Sequence, residues 1–97
     1  MTRIAWHPLA RRELFESSDF YEREVAGLGE VFLDKVEGAL QRIREHPRSG
    51  PAVLHKARKR RVGRFPYNLI YWIEADHIFV LAVAHHKRRP YYWARRR

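Results

Sequence analysis

The chain has 97 residues and a formal net charge of +9, from 20 Lys and Arg against 11 Asp and Glu. This length suits one small domain, and the absence of cysteine excludes disulfides and thiolate metal sites. No apolar run approaches the roughly 20 residues of a membrane span and the first residues lack an apolar signal core, so we expect a cytoplasmic protein with no membrane partner.

The first elements predicted are a short strand and a helix. The strand covers residues 2–6, and Pro8 marks the helix start, because the N–H that proline lacks would have no partner in the first turn. The helix should span about 18 residues, since apolar side chains recur at steps of three and four. The apolar stripe comprises Ala10, Leu14, Ser18, Tyr21, Val25 and Leu28. The opposite face, expected in water, carries Arg12, Glu13, Glu16, Asp19 and Glu22.

A second helix follows the glycines at 27 and 29, since glycine is common just past a helix end. It should end before Pro47, because proline disfavours helical geometry in the residue before it. Two amphipathic helices with a short link predict an antiparallel helical hairpin whose apolar face lies on a sheet. The apolar stripe of the second helix comprises Phe32, Val36, Ala39, Leu40 and Ile43.

The second half of the chain predicts three strands. Residues 56–62 form the first, and residues 68–74 and 77–84, rich in β-branched and aromatic side chains, form a hairpin at the centre of the sheet. Residues 95–97 are expected to fray. The fold class predicted is α+β, in the order β-α-α-β-β-β: an N-terminal strand and an antiparallel helical hairpin packed on a mainly antiparallel sheet.

Positive charge is concentrated in the second half of the chain. Residues 1–55 hold eight Lys and Arg against nine Asp and Glu, whereas residues 56–97 hold twelve against two. The hairpin should bring the basic runs on either side of it to one end of the sheet. A surface of this kind attracts nucleic acid, an anionic membrane or an acidic protein.

Three segments of the second half resemble the RelE/ParE superfamily, the toxins of bacterial type II toxin–antitoxin systems. They are Arg64–Trp72 (RFPYNLIYW), Val80–His85 (VLAVAH) and Arg88–Trp93 (RRPYYW). The pattern is similar to that of ParE-like, plasmid-stabilisation toxins. The resemblance implies a toxin that arrests growth, uses no cofactor and is neutralised by a cognate antitoxin, which is acidic and partly disordered when free. We predict that Arg60→Glu and Arg61→Glu weaken that complex.

Two mechanisms are found on this fold, and the resemblance alone does not choose between them. ParE-like members poison DNA gyrase. RelE-like members cleave mRNA in the ribosomal A site without a metal, which requires a base, an acid and cations for the phosphorane. Any enzymatic activity would then be that of a metal-independent endoribonuclease. A third alternative, from another class, is a non-toxic nucleic-acid-binding module.

The resemblance also supplies the candidate site residues. Lys59 and Arg61 match the cationic pair of the superfamily, Tyr92 lies near its C-terminal tyrosine, and either His85 or His86 would be the base. Asn68 and His86 stand where RelE-like toxins place arginines, which favours a ParE-like protein. The expected contacts to nucleic acid or another target are Arg58, Arg60, Arg64, Lys87, Arg88, Arg89 and Trp93. No metal site is predicted, since the histidines lack ligand spacing.

Overall fold

The computed structural model describes residues 2–97. Four strands form one sheet in the order β1-β4-β3-β2, with β1 parallel to β4 and the other two pairs antiparallel. The sheet and the helical hairpin confirm the predicted α+β fold. In chain order the elements are β1 (Arg3–Trp6), α1 (Pro8–Glu24), α2 (Leu28–Glu45), a 3-10 turn (Leu54–Lys56), β2 (Arg58–Arg61), β3 (Tyr67–Ile73) and β4 (His77–His85).

The junction between the helices depends on Glu22 and two glycines. Gly27 has a φ of 88°, which favours glycine, and its N–H and that of Gly29 donate to the Glu22 carboxylate at 2.8 and 3.0 Å. A Cβ on Gly29 would lie 2.6 Å from the Ser18 carbonyl oxygen, so only glycine permits this approach of the helices. Val25, predicted in the apolar stripe, is 58% exposed because α1 has already ended at Glu24.

Both faces of the sheet are covered, by different parts of the chain. The helices cover one face, where a core forms around Phe32, Ile43 and Tyr71. On the other face a smaller core joins Ile70 and Leu81 of the sheet to two residues outside the strands, Ala57 and Trp93. We call the first the helix face and the second the tail face. No helix in residues 2–97 is both long and apolar enough to cross a membrane.

Candidate target-binding site

The strand register places part of the basic sequence at one end of the sheet. Arg61 pairs with Asn68, and Asn68 pairs in turn with Ala84. Because cross-strand partners share a face and side chains alternate along a strand, Lys59 and Arg61 point to the tail face. His86, two residues beyond Ala84, continues this row. We call Lys59, Arg61, Asn68 and His86 the sheet-end cluster.

A backbone hydrogen bond holds His86 at this end of the sheet, and the neighbouring cations affect the pKa of its side chain. Its N–H donates to the Pro66 carbonyl at 2.8 Å. Partial burial and then the positive charge of Arg61 lower the pKa of the imidazole from its ordinary 6.5, with smaller effects from His85 and Lys59. His86 is therefore neutral at pH 7 and able to accept a proton or a hydrogen bond.

Arg61 and Lys59 have no carboxylate to neutralise them. Among residues 2–97, neither side chain belongs to any ion pair. Arg61 is exposed and donates from Nε to the Gly63 carbonyl at 3.2 Å, and its terminal nitrogens donate to no other described residue. Unneutralised cations beside polar Asn68 and neutral His86 suit the binding of an anionic group.

His85 faces the opposite side of the sheet. Its ring packs edge-on against Tyr67 at a centroid distance of 4.8 Å, and its Nδ1 accepts from the Lys87 N–H at 3.0 Å. Adjacent residues of a strand point to opposite faces, so only one of the two histidines can join a given site. The structure brings His86, and not His85, together with Lys59 and Arg61.

Arg58 and Arg60 lie on the helix face of β2 and contact the loop that follows α2. Arg58 donates to the carbonyls of Arg48 and Gly50 at 3.0 and 2.8 Å, and Arg60 donates to the Ser49 hydroxyl. Their guanidinium groups thus attach β2 to this loop. Of the other predicted contact residues, four are exposed in the segments on either side of the hairpin: Arg64, Lys87, Arg88 and Arg89.

Glu13, which the sequence placed on the wet face of α1, is instead the centre of a hydrogen-bond network. Its carboxylate accepts from the Tyr92 hydroxyl at 2.8 Å, from both terminal nitrogens of Arg96 at 2.9 and 2.8 Å, and from the Val83 N–H at 3.0 Å. Arg88 also lies 3.9 Å from it. We call Glu13, Tyr92 and Arg96 the C-terminal clasp.

The clasp exists because β1 is shorter than β4. The last β1 residue, Trp6, pairs with Val80, so beyond Val80 β4 is paired with β3 on one side but has no strand on its β1 side. Glu13 accepts from Val83, and Arg96 donates to the Leu81 carbonyl at 2.9 Å. Two side chains thus satisfy the backbone groups that a longer β1 would have paired.

The clasp bears on three sequence predictions, those for Glu13, Arg96 and Tyr92. The side chains of Glu13 and Arg96 are only 13% and 11% exposed, so the predictions of a wet Glu13 and of a frayed segment that includes Arg96 were wrong. Burial, and then the charge of Glu13, raise the pKa of Tyr92 well above its ordinary value, and its hydroxyl is bound to α1. The structure therefore does not bring Tyr92 into the sheet-end cluster.

Trp93 belongs to the core of the tail face. It is 4% exposed and packs with Ala57, Ile70 and Leu81. We leave Trp93 out of the proposed interface, because its side chain has almost no surface to offer a partner.

One sequence signal pointed to the buried position of Glu13. Glu13 lies three residues after buried Ala10, and residues three apart share a helix face.

A family comparison identifies the chain. The family described as the ParE toxin of type II toxin-antitoxin systems, parDE, matches residues 4–90. The chain belongs to the ParE toxin family. This assignment confirms the resemblance carried by the three segments of the second half. A search of curated protein sequences found no match.

Solved structures share the ParE-type fold. A chain of the chromosomal ParDE system from P. aeruginosa superposes with a TM-score of 0.62 at 18% identity, covering 88% of this chain and 96% of that one. The YoeB dimer from Staphylococcus aureus gives a TM-score of 0.60 at 16% identity, covering 88% and 97%. At these identities the likeness is one of fold alone.

Proposed function

We propose that this ParE family member is the toxin of a type II toxin–antitoxin module and arrests growth by binding a macromolecular target, DNA gyrase, through the sheet-end cluster. The observation that carries the proposal is the pair Lys59 and Arg61, which lie on one face of β2 and form no ion pair with any carboxylate in residues 2–97. Cations in this state are available to an anionic or polar partner, since no internal ion pair must be broken first.

The geometry supports a binding function over nucleolytic chemistry. Cleavage of RNA needs an acid for the leaving 5′-oxygen as well as cations and a base. Tyr92 is the side chain that the superfamily resemblance would assign to this chemistry, but its hydroxyl donates to Glu13 on α1. The cluster retains its cations without that tyrosine, which suits a ParE-like toxin.

The same cluster is the proposed contact for the antitoxin. An acidic segment that folds on binding would gain favourable charge pairs with Lys59 and Arg61 and would cover the surface that the target needs. Neutralisation would then be direct competition for one surface. The P. aeruginosa protein of similar fold comes from a ParDE toxin–antitoxin system, and this origin supports an antitoxin partner here.

Induction in a bacterial host tests the proposal. We expect growth arrest from the wild-type chain, relieved when the neighbouring gene is co-expressed, and a loss of arrest for Lys59→Gln/Arg61→Gln. The matched control is Arg11→Gln/Arg23→Gln, which removes two charges from exposed positions of α1 and should still arrest growth. Absence of arrest from a folded wild-type chain would favour the non-toxic nucleic-acid-binding module.

A supercoiling assay with purified gyrase then identifies the target. We expect the wild-type chain and the α1 control to inhibit supercoiling, and the Lys59→Gln/Arg61→Gln variant to lose at least tenfold in potency. Full gyrase activity at saturating toxin, together with inhibited translation, would rule out gyrase as the target.

One observation favours a second candidate, the ribosome-dependent mRNA interferase. His86 lies in the sheet-end cluster, and its lowered pKa leaves it neutral and able to act as a base beside Arg61. A translation assay with mapping of mRNA ends distinguishes the two candidates. Cleavage at ribosomal A-site codons that His86→Gln abolishes would support the interferase, and intact mRNA during growth arrest would exclude it.

A further inference from the structure

A second concave surface lies at the other end of β2 and β3. The register places Arg61 and Asn68 at one end of this strand pair and Arg58 and Tyr71 at the other. Beyond Tyr71 lies a cleft that is open to solvent and has a volume of about 480 Å³, within the range of small-ligand sites. Its polar and aromatic lining is formed by Arg48, His55, Lys56, Arg58, Trp72 and Glu74, which we call the distal cleft.

The distal cleft gathers positive charge that the protein does not neutralise. Within residues 2–97, none of its cations takes part in an ion pair. Arg58 is fixed by two backbone carbonyls, whereas Arg48 and Lys56 are exposed at the wall. Glu74 also lines the cleft, but among the described residues it forms no ion pair with these cations. The cations therefore still repel one another, and the arrangement is better suited to receiving an anion than to supporting the fold.

The backbone at the cleft wall is held in an unfavourable conformation. His55 and Lys56 are consecutive non-glycine residues in the left-handed region, with φ of 58° and 64°. The indole Nε1 of Trp72 donates to the His55 carbonyl at 3.2 Å and so secures this turn. Both strained residues line the cavity. Backbone strain of this kind is concentrated at ligand sites, where it fixes the direction of functional side chains.

We propose that the distal cleft binds a nucleoside phosphate, either free or as one unit of a single strand. Lys56 and Arg48 supply cations for the phosphate, and the Trp72 indole supplies a flat apolar surface for the base. Glu74 at the rim can accept from a base amino group or a sugar hydroxyl, and it would repel the carboxylates of an acidic peptide. This inference does not depend on the proposed action on gyrase.

Titration calorimetry with two probes tests the proposal: adenosine 5′-monophosphate and a six-nucleotide oligoadenylate. Lys56→Gln and Arg48→Gln each remove one exposed cation, and we expect either to weaken binding of the bound probe at least tenfold. Arg23→Gln removes an exposed cation from α1 and should change the affinity less than twofold.

The outcomes separate the sources of the ligand. Binding of the mononucleotide supports a free nucleotide, and binding of the oligonucleotide alone, with the same dependence on Lys56, supports a strand. The proposal is overturned if neither probe binds saturably at millimolar concentration, or if Arg23→Gln weakens binding as much as Lys56→Gln. Equal affinity for a six-residue glutamate peptide would also overturn it, because the cleft would then recognise charge without a base.

Discussion

The sheet-end cluster and the C-terminal clasp use similar side chains in opposite ways. Each contains an arginine and a second titratable side chain, which are Arg61 and His86 in the cluster and Arg96 and Tyr92 in the clasp. In the clasp, Arg96 is 11% exposed and bound by two nitrogens to Glu13. In the cluster, Arg61 is exposed and no carboxylate contacts it among the described residues.

The presence or absence of a neighbouring carboxylate determines whether an arginine stabilises the fold or is available to a partner. A buried arginine that is neutralised by Glu13 attaches the C-terminal segment to α1 and β4, and it is unavailable to a partner. An exposed arginine without a carboxylate adds little to folding and keeps its charge for another molecule. Stability and binding should therefore be separable by mutation, and the following four predictions test this in order of decreasing effect.

The largest effect is expected for Glu13→Gln. The substitution leaves Arg96 buried without its counter-charge and weakens the acceptor for Tyr92 and Val83, so it should reduce the free energy of unfolding by about 2–4 kcal/mol. Urea unfolding at pH 7 measures it. The control is Glu16→Gln, an exposed carboxylate paired with Arg12, which should cost no more than about 0.5 kcal/mol. Equal effects of the two substitutions would show that the clasp does not stabilise the fold.

The second prediction concerns the cluster. Arg61→Glu should weaken the antitoxin complex about 10- to 100-fold, or about 1.4–2.7 kcal/mol, because it replaces attraction by repulsion at an exposed site. The free energy of unfolding should change by less than about 0.5 kcal/mol. Arg60→Glu should have a smaller effect on affinity, since Arg60 contacts Ser49 on the other face. Calorimetry at low salt checks both, and unchanged affinity for Arg61→Glu would contradict the proposed interface.

The third prediction separates Tyr92 from the chemistry of the site. Tyr92→Phe loses the hydrogen bond to Glu13 and should destabilise the fold by about 1 kcal/mol. Growth arrest should persist, because the hydroxyl faces the clasp. Thermal unfolding and induced expression measure the two properties. The opposite pattern, full stability with no growth arrest, would assign Tyr92 a direct role in the activity.

The smallest effect is a dependence of stability on pH through His86. The pKa of His86 is lowered in the folded protein, so at mildly acidic pH the unfolded chain binds a proton that the folded chain excludes. Stability should therefore fall as the pH drops below the ordinary value of 6.5. His86→Gln should reduce the difference in urea midpoint between pH 7 and pH 5. An unchanged difference would mean that neither burial nor the cations of the cluster lower the pKa of His86 in the folded protein.

Most of the architecture followed from the sequence. Residues 56–62 were predicted as a strand, and alternation along any strand places Lys59 and Arg61 on one face. The β-branched and aromatic runs predicted the β3–β4 hairpin within a residue or two. The buried stripe of α2 was likewise correct at every predicted position, from Phe32 to Ile43. Local patterns suffice here because they report backbone geometry and burial of one element at a time.

Membership of the ParE family was also readable from the sequence, through residues 64–93. The sequence did not show which charged side chains lack an ion-pair partner, because that depends on residues distant along the chain. Glu13 meets Tyr92 and Arg96, 79 and 83 residues away, only because β1 stops short of the end of β4. The tertiary structure alone therefore decided that Arg96 stabilises the fold while Arg61 stays available to a partner. An arginine is neutralised by the carboxylate that folding brings beside it, and the periodicity of the sequence does not show how close two residues distant along the chain will lie.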